Sequence, residues 1–142
     1  QIYQNDQFEK VEGAPYAEKL IRDVASAYDT PVTLNLDLRA LTVDREQALP
    51  LGMIINEVVS NAFKYAFAGR DAGTLAVVLK RDGDEFSLSI RDDGPGLAAE
   101  AERRVGMGSK LIGSFVKQLH GRHILRNENG AVFEMTAPVS LA

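Results

Sequence analysis

Three polar side chains recur along one side of a predicted helix. Glu57, Asn61 and Lys64 are spaced four and three residues apart, so they share a face within two helical turns. Glu57 and Asn61 offer oxygen ligands of the kind that Mg²⁺ prefers, and Lys64 offers a positive charge to phosphate. The same spacing is also typical of an ordinary solvated helix face. Alone, these residues leave both interpretations open.

A second candidate follows a predicted strand, in the run Asp92-Asp93-Gly94-Pro95-Gly96. Gly94 and Gly96 would let the backbone approach a flat ligand closely, although a simple β-turn uses the same residue types. If Asp92 is partly buried, its carboxylate can accept a hydrogen bond from an exocyclic amine such as that of adenine. Asp93 is expected to point to solvent.

A third candidate is the pair of glycines directly before another predicted helix. Gly106 and Gly108, followed by Ser109, would expose backbone N–H groups that can bind an anion such as phosphate. Arg103, Arg104 and Lys110 flank this segment and add positive potential. A glycine-softened helix start with Ser109 near the N-cap is the plainer alternative. No P-loop, Rossmann or protein-kinase H-R-D motif is present, so a nucleotide would need a different cradle.

The elements that must position these residues follow from hydrophobic periodicity. Helices are predicted at residues 14–28, from the N-cap Asp44 to about residue 67, and at 110–121. Strands are predicted at 32–38, 74–80, 85–91, 123–128 and 131–138, with hairpin turns at Asp82-Gly83 and Asn129-Gly130. This order favours an α+β fold: a two-layer sandwich with a five-stranded, mixed, mostly antiparallel sheet covered on one face by three helices. In the long helix the expected buried stripe comprises Leu51, Ile54, Ile55, Val58, Ala62, Tyr65 and Ala66.

Composition narrows the class of partner. The 142 residues carry a formal net charge of −4, which argues against nucleic acid as the main partner. There is no cysteine, so disulfides and thiolate metal sites are excluded and a reducing compartment, the cytoplasm, is expected. No apolar run reaches the roughly 18 residues of a membrane span, so we expect no direct membrane contact by this domain. We interpret the sequence as a fragment of a longer protein whose anchoring is unknown.

Taken in order, the segments INEVVSNAFKYAF, RDDGPGL and GMGSKLI resemble the N, G1 and G2 boxes of the GHKL superfamily, which includes gyrase, chaperone-type ATPases, histidine kinases and mismatch-repair ATPases. The resemblance covers about residues 30 to 138 and implies the Bergerat fold. The Glu-x-x-x-Asn N box and the short ATP lid resemble one subfamily of sensor histidine kinases. Residues 13–142 would then be the ATP-binding catalytic domain, and residues 1–12 the tail of the preceding dimerisation helix or a linker.

The resemblance also implies roles for single residues. Asn61, together with Glu57, would coordinate Mg²⁺. Glu57 occupies a position that is also Glu in the related ATPases, where that residue is the general base for water. Lys64 and the lid cation Arg104 would assist phosphoryl transfer. Adenine would meet Tyr65 and the carboxylate of Asp92. The pocket and its lid would be shaped by Gly94, Gly96, Gly106, Gly108 and Ser109.

The implied function is transfer of the γ-phosphoryl of Mg-ATP to a histidine on a dimerisation helix outside this chain, with a response regulator downstream. His120 and His123 flank a predicted helix end and are not expected to be the acceptor. Two alternatives remain: a serine kinase of the anti-sigma-factor type, and a non-catalytic docking module with the same fold. Two departures from the family pattern are the short lid, which lacks a phenylalanine-bearing box, and Gly130-Ala131, where a Gly-Thr or Gly-Ser pair is common.

Overall fold

The computed structural model of the protein describes residues 10–94 and 110–141. Over these residues the strands are β1 (Lys10–Glu12), β2 (Val32–Leu38), β3 (Thr42–Asp44), β4 (Gly73–Asp82), β5 (Glu85–Asp92), β6 (Arg122–Asn127) and β7 (Ala131–Pro138). The helices are α1 (Gly13–Ser26), α2 (Arg45–Asn61) and α3 (110–118), and α2 continues directly into a π-helical turn at Ala62–Ala66.

Five strands form the main sheet, in the order β2-β4-β5-β7-β6. β2 pairs in parallel with β4, and the three other neighbouring pairs are antiparallel. Both predicted hairpins are present: Gly83 adopts a φ of +64° between β4 and β5, and Asn129 and Gly130 adopt φ values of 55° and 132° between β6 and β7. The mixed, mostly antiparallel sheet expected from the sequence is confirmed.

One face of this sheet carries the core. Its inward side chains alternate with half-exposed ones along β4, β5 and β7, and they join a single buried cluster with the three helices. The largest fully buried side chains include Phe67, Phe86, Phe133, Ile21, Leu51, Ile54, Ile55, Leu75 and Leu79. The two-layer α+β arrangement is therefore confirmed, with helices packed on the core face.

A second, two-stranded sheet was not predicted. β1 pairs antiparallel with β3, so that Lys10 lies opposite Asp44 and its Nζ is 2.6 Å from Asp44 Oδ1. Strands of three residues are too short to show alternation in the sequence. This small sheet connects the first described residues to Asp44, the N-cap of α2. At this N-cap, Gln47 Oε1 accepts a 2.9 Å hydrogen bond from the Asp44 N–H.

The buried face of α2 differs from the predicted stripe. Leu51, Ile54 and Ile55 are fully buried as expected, but Val58, Tyr65 and Ala66 are only partly buried. Ala62 is buried as expected, and the other core positions toward the end are Val59, Phe63 and Phe67. Within Ala62–Ala66 the helix makes a π turn, in which the Phe67 N–H donates to Ala62 O at 2.9 Å, and the additional residue rotates Tyr65, Ala66 and Phe67 relative to a regular helix.

α3 ends near its predicted glycine. His120 adopts a left-handed φ of 57°, and the Gly121 N–H donates to Val116 O at 3.0 Å, which satisfies a carbonyl of the last turn. None of the helices that the structure describes is long and apolar enough to cross a membrane.

Candidate functional site

A partly enclosed cavity lies where α2 and the π turn meet the ends of β5 and β7. Its polar wall includes Asn61, the last residue of α2, and Asp92, the last residue of β5. Its apolar wall comprises Val58, Ala62, Ala66, Ile90, Ile112, Leu125, Ala131 and Phe133. The structure thus brings together two of the three segments singled out in the sequence. Residues 106–109 lie outside the described residues, but Ile112 of the helix that follows them reaches the cavity.

Asp92 is one of two buried polar residues within the described part of the chain. Its side chain reaches the cavity because β5 alternates, so that Ile90 and Asp92 point to the same face. Oδ1 accepts hydrogen bonds from the Gly94 N–H at 2.9 Å and the Ala131 N–H at 3.1 Å. Burial raises the pKa of this carboxyl, against the opposing effect of these two hydrogen bonds. The nearby negative Asp93 raises it further, and Arg70 lowers it.

Two glycines allow the backbone around Asp92 to pack this closely. A Cβ on Gly94 would lie 2.6 Å from the Cβ of Ala66, so the turn after Asp92 rests directly on the π turn. A Cβ on Gly130, whose φ is 132°, would overlap the carbonyl oxygen of Asp92. Gly94 was singled out in the sequence as a site residue, whereas Gly130 was noted only as part of a hairpin turn and of the Gly130-Ala131 departure from the family pattern. Its Asn129-Gly130 hairpin signal, placed beside the strand that ends at Asp92, points to this contact only once the strand order is known.

The polar face of α2 is arranged in two parts. Glu57 and Asn61 both belong to the regular α-helix and lie one turn apart, each half-buried. Lys64 lies in the π turn and is exposed. Regular α-helical spacing therefore applies to Glu57 and Asn61, whereas Lys64 follows the start of the π turn. Within the described part of the chain there is no cluster of three His, Cys, Asp or Glu residues that could hold a metal. Glu57 and Asn61 could supply two oxygen ligands to a Mg²⁺ ion that takes its other ligands from water or phosphate.

Several of the predicted site residues do not line the cavity or lie outside the residues that the structure describes. Tyr65 is half-buried in the π turn and does not line the cavity; Ala62 and Ala66 form that part of the wall. Gly96, Arg104, Gly106, Gly108 and Ser109 lie outside the described residues. Ala131 stands where a hydroxyl residue is common in the family pattern, and it contributes its backbone N–H to Asp92.

Asp93 is exposed to solvent, as expected, and its side chain also makes contacts that were not predicted. Its Oδ1 accepts a hydrogen bond from the Thr74 N–H at 3.0 Å and pairs with Arg70 Nη1 at 3.2 Å. Arg70 was not singled out in the sequence. The two partners lie 23 positions apart in the sequence, so no local pattern reveals the pair.

Curated relatives of this chain include sensor histidine kinases. It is 32% identical over 100 residues to the sensor histidine kinase PdtaS of Mycolicibacterium smegmatis, an alignment that covers 68% of this chain and 20% of that protein. It is 23% identical over 113 residues to blue-light-activated histidine kinase 2 of Erythrobacter litoralis, covering 77% of this chain and 33% of the relative. The chain thus spans a third or less of the length of these relatives.

Solved structures share the fold. The histidine kinase domain of the Erythrobacter litoralis EL346 blue-light activated histidine kinase superposes with a TM-score of 0.81 at 19% identity, over 91% of this chain and 62% of that one. The mycobacterial sensor histidine kinase MprB gives a TM-score of 0.75 at 18% identity, over 92% of this chain and 96% of that one. The family described as Histidine kinase-, DNA gyrase B-, and HSP90-like ATPase matches residues 46–141, which include α2 after its first residue, the π turn and all the strands from β4 to β7. The chain therefore belongs to this ATPase family.

Proposed function

We propose that this chain is the catalytic domain of a sensor histidine kinase, which binds Mg-ATP and transfers its γ-phosphoryl to a histidine on a dimerisation helix outside the chain. The observation that carries the proposal is that the buried Asp92 and the half-buried Asn61 line one cavity with apolar walls. Family membership and the sensor kinases among its relatives support the same reading. Residues 13–142 would form this domain, acting in the cytoplasm, with a response regulator as the downstream partner.

Adenine recognition would rest on the carboxylate of Asp92. The described residues donate hydrogen bonds to Oδ1 only, so Oδ2 is the acceptor that remains for the 6-amino group of adenine. Guanine carries an oxygen at that position, which would face the carboxylate without a proton between them. Side chains such as Ile90, Ile112 and Phe133 would cover the faces of the ring. Tyr65 would then lie beside this wall rather than within it.

The phosphates would lie toward the end of α2. Glu57 and Asn61, one helical turn apart, fit a Mg²⁺ ion that keeps part of its shell in water and phosphate oxygens. When bound, Mg²⁺ would neutralise charge on the phosphates. Lys64 is exposed within the π turn, and it makes no hydrogen bond or ion pair with another described residue that would have to break before it binds phosphate. Arg104, Gly106, Gly108 and Ser109 are proposed to complete the phosphate contacts.

The transfer itself is a displacement at the γ-phosphorus. An imidazole nitrogen of the acceptor histidine attacks, the bond to the β–γ bridging oxygen breaks, and ADP leaves with that electron pair. The carboxylate of Glu57 would accept the proton that the phosphorylated imidazole releases from its other nitrogen. Positioning of the two reactants would supply much of the rate.

The deciding experiment combines this chain with the upstream helices of its parent protein. Incubation with Mg-ATP that carries a labelled γ-phosphate should transfer the label to a histidine. A phosphoryl group on histidine is lost in acid and survives in base, and the label should do the same. An acid-stable label on a separate protein would instead favour the serine kinase. A calorimetric titration that shows no heat with a millimolar non-hydrolysable ATP analogue and Mg²⁺ would contradict the proposal and favour the docking module.

A further inference from the structure

We propose that Arg70 is a positioning residue for adenine recognition, acting through Asp93 to hold the Asp92–Gly94 turn in place. The inference rests on the proposed function, because it concerns the carboxylate proposed to bind adenine. Arg70 does not line the cavity, so it would position the carboxylate through the backbone of the turn, in addition to the minor effect of its charge on Asp92.

One nitrogen of Arg70 holds Asp93 at two points. Nη1 donates to the Asp93 backbone oxygen at 3.1 Å and to the Asp93 carboxylate Oδ1 at 3.2 Å. The same carboxylate oxygen accepts the Thr74 N–H at 3.0 Å, at the start of β4. Both the main chain and the side chain of Asp93 are therefore fixed, and the residues on either side of it are Asp92 and Gly94.

Arg70 is itself anchored to the end of the helix that carries Asn61. Its backbone N–H donates to Phe67 O at 3.1 Å, and its guanidinium carbon lies 5.9 Å from the centre of the Phe67 ring. Phe67 is fully buried and follows the π turn directly. A chain of contacts thus runs from the π turn through Phe67 and Arg70 to Asp93.

This chain of contacts meets a second one at the same turn. Gly94 rests on Ala66 of the π turn, and the Gly94 N–H donates to Asp92 Oδ1. The turn is therefore held to the π turn on one side by Gly94 and on the other by Arg70. Without the Arg70 contact, the Asp92 carboxylate would still accept hydrogen bonds at Oδ1, but the direction in which Oδ2 points would be less well fixed. The hydrogen bond from Oδ2 to the adenine amino group depends on direction, so it would weaken more than the apolar contacts to the ring.

The pair should matter little for folding. The Arg70 and Asp93 side chains are 36% and 47% exposed, and ion pairs at such exposure contribute little to stability because water screens them. A role in recognition therefore predicts a change in ligand selectivity without a matching change in melting temperature. A merely structural role predicts equal losses of affinity for all nucleotides.

The test measures adenine selectivity in the full chain. Affinities for ATP and for purine riboside 5′-triphosphate, which lacks the 6-amino group, are measured by calorimetry with Mg²⁺, and their ratio is compared among variants. We expect Arg70→Gln and Asp93→Asn each to reduce the ratio by roughly three- to tenfold, and the double variant to reduce it no further. Arg39→Gln is the matched control, because Arg39 forms a similar exposed pair with Asp37 that does not line the cavity.

The outcomes separate the two proposals. If the wild-type chain discriminates between the ligands and Arg70→Gln keeps the full ratio, or weakens both ligands equally, the positioning role is overturned while the proposed function stands. If the wild-type chain does not distinguish the two ligands, the proposed adenine recognition fails and the positioning role fails with it. If the ratio of the two affinities falls as far in Arg39→Gln as in Arg70→Gln, the positioning role of Arg70 is also overturned.

Discussion

The backbone N–H of Ala131 donates a 3.1 Å hydrogen bond to Oδ1 of Asp92, which joins the start of β7 to the end of β5. A second backbone donor, the Gly94 N–H, reaches the same oxygen. Both donors belong to the main chain, so the orientation of the carboxylate is set by the sheet and its following turn. Oδ2 is consequently presented in a fixed direction.

Asp92→Asn should separate adenine recognition from general nucleotide binding. The two backbone donors favour the orientation in which the amide oxygen replaces Oδ1, so the amide nitrogen replaces Oδ2 and faces the adenine amino group with another donor. Loss of a hydrogen bond to a charged group costs about 1.5–3 kcal/mol, so ATP affinity should fall roughly 10- to 100-fold. Purine riboside triphosphate should lose much less, as measured by calorimetry. Asp84→Asn, in the exposed β4–β5 turn, is the control, and equal losses for both ligands would contradict the adenine assignment.

The same substitution should alter how stability depends on pH. Burial raises the pKa of Asp92 above its ordinary value of 3.8, so at pH values between the two the folded protein holds a proton that the unfolded chain has released. The wild-type free energy of unfolding should therefore fall, relative to that of Asp92→Asn, as pH rises through this window. Above the raised pKa the difference should be constant. Urea unfolding of both proteins at a series of pH values gives this difference, and an increase with pH would mean that the pKa is lowered instead.

Gly94→Ala tests the close packing of the turn on the π turn. The new Cβ would lie 2.6 Å from Ala66 Cβ and 2.9 Å from Ala66 Cα, so the backbone must shift. Overpacking of this kind costs about 1–3 kcal/mol of unfolding free energy, and nucleotide affinity should fall with it. Gly113→Ala, within α3, is the control: its Cβ would meet only His123 Cε1 at 3.7 Å, and the change should stabilise the helix by about 0.5–1 kcal/mol. Equal melting temperatures for the two variants would contradict the packing argument.

Strong local patterns made much of this fold predictable. The alternation of Val32, Leu34, Leu36 and Leu38 identified β2, and the structure shows the same alternation in burial. The Asp44 N-cap and the turns at Asp82-Gly83 and Asn129-Gly130 were also predictable, because each depends on residues that are neighbours in the sequence. The π turn was not predictable, because the helix prediction assumed the same rotation for every residue and could not show one turn with an additional residue.

The site was predictable only in part, for a related reason. Asn61 and Asp92 were singled out by residue type and by resemblance, and the strand order brings them to one cavity. The apolar wall contributed by Leu125 and Phe133 depends on which strands are neighbours in the sheet. The Arg70–Asp93 pair depends on a contact between a loop and a strand end that only the tertiary structure brings together.

Asn61→Ala should remove the dependence of nucleotide binding on Mg²⁺. Asn61 is the last residue of α2, and alanine favours a helix more than asparagine, so the circular dichroism spectrum should be unchanged. With the amide oxygen gone, Glu57 alone would face the metal, and a single protein ligand cannot match the pair in holding Mg²⁺ against the phosphates. Affinity for a non-hydrolysable ATP analogue should be stronger with Mg²⁺ than with a chelator in the wild-type chain, whereas the variant should give about equal values in the two conditions. Asn56→Ala, an exposed asparagine on the same helix, should keep the wild-type response. If Asn61→Ala retains the full Mg²⁺ response, the role of Asn61 in metal binding is refuted. If Asn56→Ala also loses the Mg²⁺ response, the cause is a change in the helix and not the loss of the Asn61 amide.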